Sequence, residues 1–392
     1  MQAKPNQQQK SVVIFGAGIS GITLARLFAE QNYQVTIYEK NNFIGGNCHD
    51  YYNEHKILVH QFGPHIFHTS NQRVYRFIRR FTKLNKFVNR VLIPLNKHVY
   101  FPLPINFDSI KIIMREKADG IIAVLKATFK KQKTITLFDL KKIKDADVQK
   151  FAKWIWNNVY ANYTAKMWAI PLDKIDHNVI NRVKIILSHE RNYFPDDKYQ
   201  GLPVDGYTAM FKKMLDHPNI TVQLKANAEK IMQLKNHKIY IKRKLFKGQV
   251  FYSGTVDQLF NYKMGRLTFR SLHFAFHTYF YQSFQPTANV NYPADPKMTR
   301  ICEYKKMTFQ KAKVTTISKE YPGAYKSNSK QFNVPYYPIN NQTNNAVLQR
   351  YTENVKKYPQ LHMIGRLGQY KYYDMDDAIE AAMCLFDQIQ TN

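Results

Sequence analysis

A strand pattern, Val12 to Phe15, runs directly into Gly16-Ala17-Gly18-Ile19-Ser20-Gly21 and then an apolar helical stretch from Ile22 to Ala29. Few patterns restrict a fold as much. The glycines let a strand turn tightly, let backbone approach a pyrophosphate, and let the helix pack closely on the sheet with its N-terminus facing the phosphates. A second strand, Gln34 to Tyr38, ends at Glu39, in reach of a ribose hydroxyl pair. Nicotinamide sites usually stop there. Here Gly45-Gly46-Asn47 follows six residues later, a second place where backbone can approach a dinucleotide, as flavin proteins use. Together these point to a dinucleotide cofactor, FAD ahead of NAD, at the edge of a parallel sheet with helices on its faces.

A chain of 392 residues is long enough for two or three domains. Hydrophobic content of 44% with 14% aromatics excludes global disorder. The 27 tyrosines and 26 phenylalanines suit both core packing and a polar, ring-lined pocket. A net charge of +30 attracts nucleic acid, anionic lipid or an anionic small molecule. The lysines concentrate in 111–155 and 230–247, with no zinc-finger or RNA-recognition signature beside them. They read as a solvated or membrane-skimming face rather than a specific nucleic-acid footprint. Cys48, Cys302 and Cys384 are far apart and form no C-x-x-C, which argues against a disulfide framework or structural metal and for a reducing compartment. Met1 to Lys10 lacks an apolar signal core, and no apolar run is long enough to span a membrane; a cytoplasmic location is expected.

Further along, Val88 to Leu95 and Lys97 to Phe101 read as strands joined at Asn96-Lys97. Asp108 to Ala161 is helical in pattern, with lysines on one face, and Met167 to Asn181 reads as a loop. Tyr207 to Leu215 is a helix, and Thr221 to Leu224 and Gln249 to Tyr252 are strands able to rejoin the first sheet. Leu267 to Tyr281, Thr299 to Tyr304 and Val314 to Lys319 alternate apolar and polar residues, as in an antiparallel sheet with one wet face. Leu361 to Ile364 leads into Gly365-Arg366-Leu367-Gly368, and Asp374 to Ile389 closes the chain as an amphipathic helix.

Three histidines, His60, His65 and His68, are close in sequence, but Gly63-Pro64 breaks any helix and no acid or thiol assists, so packing beside a cofactor is preferred to a metal. Tyr160, Tyr163 and Trp168 are either helix-face core or a stacking wall for a planar base. Arg182, Arg300 and Arg366 stand in weakly charged surroundings; a guanidinium fork is what a diphosphate needs where no metal serves. Pro335-Tyr336-Tyr337-Pro338 and Tyr370 to Asp376 place tyrosines and acids in turning backbone.

With these residues in view the chain resembles the UDP-galactopyranose mutase family. The matching stretches are Gly16 to Gly21, Gly45 to Asn47, Gly63 to His68, Phe87 to Arg90, Tyr163 to Trp168, Arg191 to Phe194, Gln200-Gly201 and Gly206 to Thr208. Phe251 to Gly254, Thr299 to Ile301, Lys319 to Pro322, Pro335 to Pro338 and Gly365 to Met375 complete them in order. The resemblance implies an α/β fold: a Rossmann-like FAD-binding domain (10–92, 204–262 and 355–392), an inserted helical domain (106–190) with a mobile loop at about 167–182, and an antiparallel β-sheet domain (93–105 and 263–340).

It also implies roles. FAD would meet Gly16, Gly18, Ser20, Gly21, Glu39, Lys40, Gly46, Asn47, His65, Ile66, Arg366, Tyr373, Asp374, Met375, Asp376, Asp377 and Ala378. The uridine end would meet Asn89, Tyr163, Thr164, Trp168 and Asn291. The diphosphate would lie between Arg182 and Arg300, with Tyr193, Tyr337 and Tyr372 donating; Arg182, Arg300, His65, His68 and Asp374 would serve catalysis. In this family N5 of reduced flavin attacks the anomeric carbon and expels UDP, so that the sugar ring can open and reclose. UDP-galactose in pyranose and furanose forms is the implied partner, with an external reductant such as NAD(P)H that has no dedicated site, and a homodimer; the lysine-rich charge, independently of the resemblance, leads to the expectation of peripheral contact with an anionic membrane surface. An FAD-dependent oxidase or desaturase of the amine-oxidase type shares the cofactor motifs and is the alternative.

Several positions depart from the family pattern: Asn162 and Ala169 where Gly is usual, Val159 for an aromatic ring, Asp205 for a second glycine, Tyr304 for histidine, and Phe28 and Asn32 for Leu and Gly. Alanine at a turning point absorbs less dihedral change than glycine, so an effect on loop closure is expected.

Overall fold

The computed structural model describes residues 10–169 and 184–391. Strand Ser11–Phe15 is the centre of a five-stranded parallel sheet in the order Ile220–Gln223, Gln34–Tyr38, Ser11–Phe15, Gln249–Tyr252, Leu361–Met363. Because side chains alternate across a strand, Val12 and Ile14 face one way and Val13 and Phe15 the other. The first pair joins Val35, Ile37 and Phe251 under helices Ile19–Glu30, Tyr207–Leu215 and Met375–Thr391. The second pair joins Tyr38, Val250 and Tyr252 against a small antiparallel meander, Met232–Lys235, Lys238–Ile241 and Lys244–Phe246. That meander is the lysine-rich stretch 230–247. It turns Ile239 and Ile241 inward and leaves Lys235, Lys238 and Lys244 exposed, so its charge is a solvated face.

A second, seven-stranded sheet runs Tyr337–Pro338, Phe269–Tyr279, Thr315–Ala324, Arg300–Glu303, Asn289–Asn291, Val91–Pro94, Tyr100–Leu103. It is antiparallel except where Asn289–Asn291 runs parallel to Val91–Pro94. The expected strands shift at their ends. Val88 to Leu95 shortens to Val91–Pro94, and its partner starts at Tyr100 because Leu95 to Val99 forms the turn. Thr315–Ala324 continues through Pro322 and Gly323, five residues beyond the expected end, since its long partner Phe269–Tyr279 pairs with it throughout.

Between the two sheets in sequence lies a cluster of helices, Phe107–Met114, Ala118–Thr128, Leu137–Lys141 and Ala146–Ile155. Asn106 and Thr136 each form a capping box, with Ser109 and Asp139, satisfying the helix-end amides. Ile110, Ile121, Leu125, Leu140, Phe151 and Ile155 fill their common core. The chain then makes one π-helical turn, Trp156–Tyr160, before resuming as helix Ala161–Trp168. Tyr160, at the end of this turn, joins the helical core, while Tyr163, three residues on, meets Arg300 of the second sheet. Met167 and Trp168, expected to open a loop, are thus the last turn of this helix, and 170–181 of that expected loop lie outside the described residues.

Candidate active site

The two glycine motifs pack against each other. Gly18 and Gly45 form a lone parallel bridge, Gly45 N donates to Ala17 O at 2.7 Å, and a Cβ on Gly46 (φ +55°) would sit 3.2 Å from Gly18 Cα. Gly16 (φ +109°) is equally constrained, since a Cβ there would lie 1.9 Å from Ser253 Oγ. A Cβ on Gly18, by contrast, would meet nothing within 4 Å, so that edge opens into a cleft of about 380 Å³. Gly16, Gly18, Ser20, Gly21, Glu39, Lys40, Gly46, Asn47 and His65 line it, as do Arg366, Tyr373, Asp374, Met375 and Ala378, whose carbonyl accepts from Ser20 Oγ at 3.4 Å. Buried Glu39 accepts from Ala17 N at 2.7 Å and from Asn41 N and Nδ2 at 2.8 Å. Its carboxylate is held rigidly at the end of the strand, where an acid meets a ribose. Open backbone, a helix N-terminus and a fixed acid in one groove fit an adenine dinucleotide.

His65 lines the same cleft. Its Nδ1 bonds Gly63 O at 2.9 Å, which leaves Nε2 as the acceptor. Burial, with His60 nearby, brings its pKa down to about 3, so the ring is neutral.

Through Arg366 the cleft meets a cluster of rings and cations. The Arg366 guanidinium lies 5.3 Å from the Tyr337 ring centre and 5.0 Å from that of Tyr372, and it donates to the Tyr336 and Tyr373 carbonyls. Tyr337 and Tyr372 stack at 5.8 Å, Trp168 packs on Tyr337 at 6.0 Å, and Tyr372 OH donates to Asp374 at 3.1 Å. Arg300 donates from Nε to Asn291 Oδ1 at 3.1 Å and from Nη2 to Tyr163 OH at 3.4 Å. Burial is the largest single influence on Arg300 and opposes its charge, but the Glu320 carboxylate opposite it in the register and the tyrosines around it together hold its pKa above the ordinary arginine value. Burial also raises Tyr163, Tyr193, Tyr337 and Tyr372, so these phenols remain protonated donors. A fixed cation ringed by neutral O–H donors is suited to an anion, because no phenolate competes for it.

Most of the predicted set therefore converges: Tyr163, Trp168, Arg300, Asn291, Tyr337, Tyr372 and Arg366 share one cluster. Tyr193 adjoins it, its N donating to the carbonyl of buried Asn89 at 2.8 Å. Thr164 is buried one residue from Tyr163. Arg182 lies outside the described residues. Four predicted positions lie away from the cleft lining. His68 bonds Asp197 at 2.7 Å and stacks on Phe194 at 3.6 Å, bracing that ring. Ile66 packs on the small core of Phe87 and Tyr304, while Asp376 and Asp377 occupy the first turn of the last helix.

Two residues absent from the sequence reading fix the helix that carries Tyr163 and Trp168. Buried Arg270 donates from Nε to Met167 O at 2.7 Å and from Nη2 to Lys166 O at 3.2 Å, capping the helix C-terminus. Lys166 Nζ in turn donates to the carbonyls of Tyr292 at 3.0 Å, Asp295, and Met298 at 2.6 Å. An arginine within the alternating strand Leu267 to Tyr281 was the available signal. The next residue, Ala169, is left-handed (φ 53°, ψ 41°), so the position where glycine is usual is strained by its Cβ. Asn32 is also left-handed (φ 62°), but asparagine tolerates this. Tyr304 takes a core role, donating to His60 O at 3.1 Å.

Comparisons with known proteins agree with this geometry. The family model for UDP-galactopyranose mutase matches residues 158–372, and that for an NAD(P)-binding Rossmann-like domain matches 14–81. The chain is 39% identical over 388 residues to the UDP-galactopyranose mutase of Mycoplasma pneumoniae, covering 98% of this chain and 97% of that protein. It is 41% identical over 371 residues to that of Mycoplasma genitalium, covering 94% and 92%. A dTDP-fucopyranose mutase of Escherichia coli is 31% identical over 377 residues, covering 95% and 96%. In fold, the chain is similar to a crystal structure of reduced UDP-galactopyranose mutase, with a TM-score of 0.71 at 14% identity over 98% of this chain and 94% of that one. With one glycine-lined cleft ending at a caged arginine, and relatives aligned along nearly its whole length, the chain belongs to the UDP-galactopyranose mutase family.

Proposed function

We propose that this enzyme interconverts UDP-galactopyranose and UDP-galactofuranose with reduced FAD in the glycine cleft, supplying the furanose for a cell-surface polysaccharide. What carries the reading is Arg300, a guanidinium fixed by Asn291 and Tyr163 and surrounded by protonated phenols where the dinucleotide cleft ends. The exchange of ring forms has no net redox change, but UDP must leave the anomeric carbon as an anion and return. Reduced flavin, when bound, supplies an electron-rich N5 able to displace UDP from that carbon. The chain's own task is electrostatic. Arg300 meets charge that grows on the diphosphate, and Tyr193, Tyr337 and Tyr372 add donors that need no proton transfer to act. Arg182 is the proposed second cation. Trp168, Tyr163 and Asn89 orient the base end, which keeps the anomeric carbon in line with the cleft. His65, neutral and fixed through Gly63, would offer Nε2 as an acceptor to the cofactor held in the cleft.

The test is turnover of UDP-galactofuranose followed by chromatography, under anaerobic conditions with and without dithionite. Turnover only after reduction, with a yellow purified protein, is expected. Equal turnover with oxidised flavin, or stoichiometric oxygen consumption, would favour the oxidase reading and defeat this one. Because a family relative acts on a dTDP-fucose, dTDP-fucopyranose belongs in the same assay; a higher kcat/KM for it would reassign the substrate and leave the chemistry intact.

A further inference from the structure

Large apolar side chains stand exposed at few places among the described residues, and none of them lies in the lysine-rich helical region before residue 170. There Lys117 pairs with Asp147 at 2.7 Å, and Lys141 covers the Trp156 ring at 4.2 Å. That region offers charge without anchors. A different face offers both. Phe280 is 79% exposed and Phe309 57%, and contacts tie the segments of both to the turn at Asn53–Ile57. Phe280 packs edge-on against His55 at 5.5 Å. Gln310, next to Phe309, donates to Lys56 O at 2.9 Å, and Phe309 contacts Phe87 at 6.2 Å. Tyr281, 46% exposed, extends the surface by stacking on Tyr279 at 5.2 Å.

The charge around these rings has one sign. Lys56, Lys83, Lys86, Lys311 and Lys313 are exposed, and Glu54 is the one exposed acid in segments 51–57, 83–90, 279–284 and 306–314. Phe309 adds an independent observation. It terminates helix Tyr304–Thr308 in the left-handed conformation (φ 58°, ψ 24°), where glycine or asparagine fits and a phenyl group is strained. An exposed, strained ring gains little inside the fold, so folding does not explain it. Rings that reach out of a surface, ringed by lysines, match the interfacial layer of an anionic bilayer: the rings enter at headgroup depth and the ammonium groups meet phosphates. No described helix is long and apolar enough to cross a membrane, so the contact is peripheral.

We propose that the face built by Phe280, Tyr281 and Phe309 with Lys56, Lys86, Lys311 and Lys313 docks this enzyme on anionic phospholipid membranes. The experiment is flotation of the full chain with vesicles of phosphatidylcholine alone or mixed with phosphatidylglycerol, at low and raised salt. Binding to the mixed vesicles only, weakened by salt, is expected. Phe280→Ser combined with Phe309→Gly should lower vesicle affinity about tenfold or more, as should Lys311→Glu with Lys313→Glu. Phe309→Gly alone should weaken binding while keeping or raising the melting temperature, because it removes the strained ring; a purely structural phenylalanine would do the reverse. Equal partition of the wild type to both vesicle types, or unchanged flotation of the double-ring variant, overturns the proposal. If the ring variants dissociate an oligomer and leave vesicle binding unaltered, a second copy of the chain covers this face instead.

Discussion

Replacing Arg270 by methionine tests how the proposed substrate wall of Tyr163 and Trp168 is held. The side chain is buried, and its two bonds end on the Met167 and Lys166 carbonyls, the last turn before Trp168. Hydrogen bonds from a charged donor contribute about 1.5–3 kcal/mol each, and the freed carbonyls regain part of this from water as the turn frays. Removing a buried charge also recovers some desolvation. A net loss of about 2 kcal/mol at the helix end follows, equivalent to roughly thirtyfold in an equilibrium constant. That loss falls on positioning, since Arg270 bonds only backbone here, while Trp168 and Tyr163 lose their support against Tyr337 and Arg300. Arg270→Met should therefore raise KM for UDP-galactofuranose by roughly thirtyfold, with a smaller change in kcat. Arg270→Lys, which keeps a charge and one donor but lacks the fork, should fall between. Steady-state kinetics on dithionite-reduced enzyme, with melting temperatures as a control, measure this. An unchanged KM for the methionine variant, or a loss confined to kcat, would refute the idea that this clamp sets the wall.

The remaining predictions are more direct. Arg300→Met should lower kcat/KM by about 10²–10³ while bound flavin, read from the visible spectrum, is unchanged; loss of flavin would place Arg300 in the cofactor site instead. Ala169→Gly should relieve a left-handed alanine and raise stability by up to about 1 kcal/mol, seen as a higher melting temperature, and a lower one would contradict the backbone assignment. Burial brings His60 and His65 down to about 3, so the unfolded chain binds more protons than the native one below the ordinary histidine range. Stability is then complete above pH 6.5 and falls toward pH 3, by about 1.4 kcal/mol per pH unit for each ring. Urea unfolding across pH 7 to 4 should show His60→Asn with a shallower slope than wild type; identical slopes would mean these rings titrate normally. Gly46→Ala puts a methyl group 3.2 Å from Gly18 Cα at a positive φ and should yield flavin-poor protein, read as the ratio of visible to ultraviolet absorbance.

The parallel sheet was legible because its signals are local. Val12 to Phe15, the glycines and Glu39 are read in one pass along the chain, and each has a single geometric use. The rings and arginines were also nameable from sequence, but as candidates with equal structural readings. Tyr160 and Tyr163, three residues apart, illustrate the limit: one joins the helical core and the other touches Arg300, because the helix lies between that core and the second sheet. No periodicity announces which neighbour each ring meets. Arg270 was missed for a related reason. Its role depends on carbonyls about a hundred residues away, and in sequence it is one cation in an alternating strand. The meander at 230–247 was visible only as lysines, since its inward positions are few and its strands short.

What the sequence determined by itself was the dinucleotide cleft and the inventory of its visitors: backbone that only glycine permits, an acid at a strand end, and enough tyrosine and arginine to meet a charged nucleotide. Tertiary structure decided which of those side chains face one another. It set Glu320 opposite Arg300 to sustain its charge, buried the phenols so they stay protonated, and brought Arg270 and Lys166 to the end of the helix that carries Trp168. The physical reason is range. Backbone geometry and periodic burial act within a few residues and leave a mark in sequence, whereas desolvation and charge pairing depend on distances that exist only once the strands have registered.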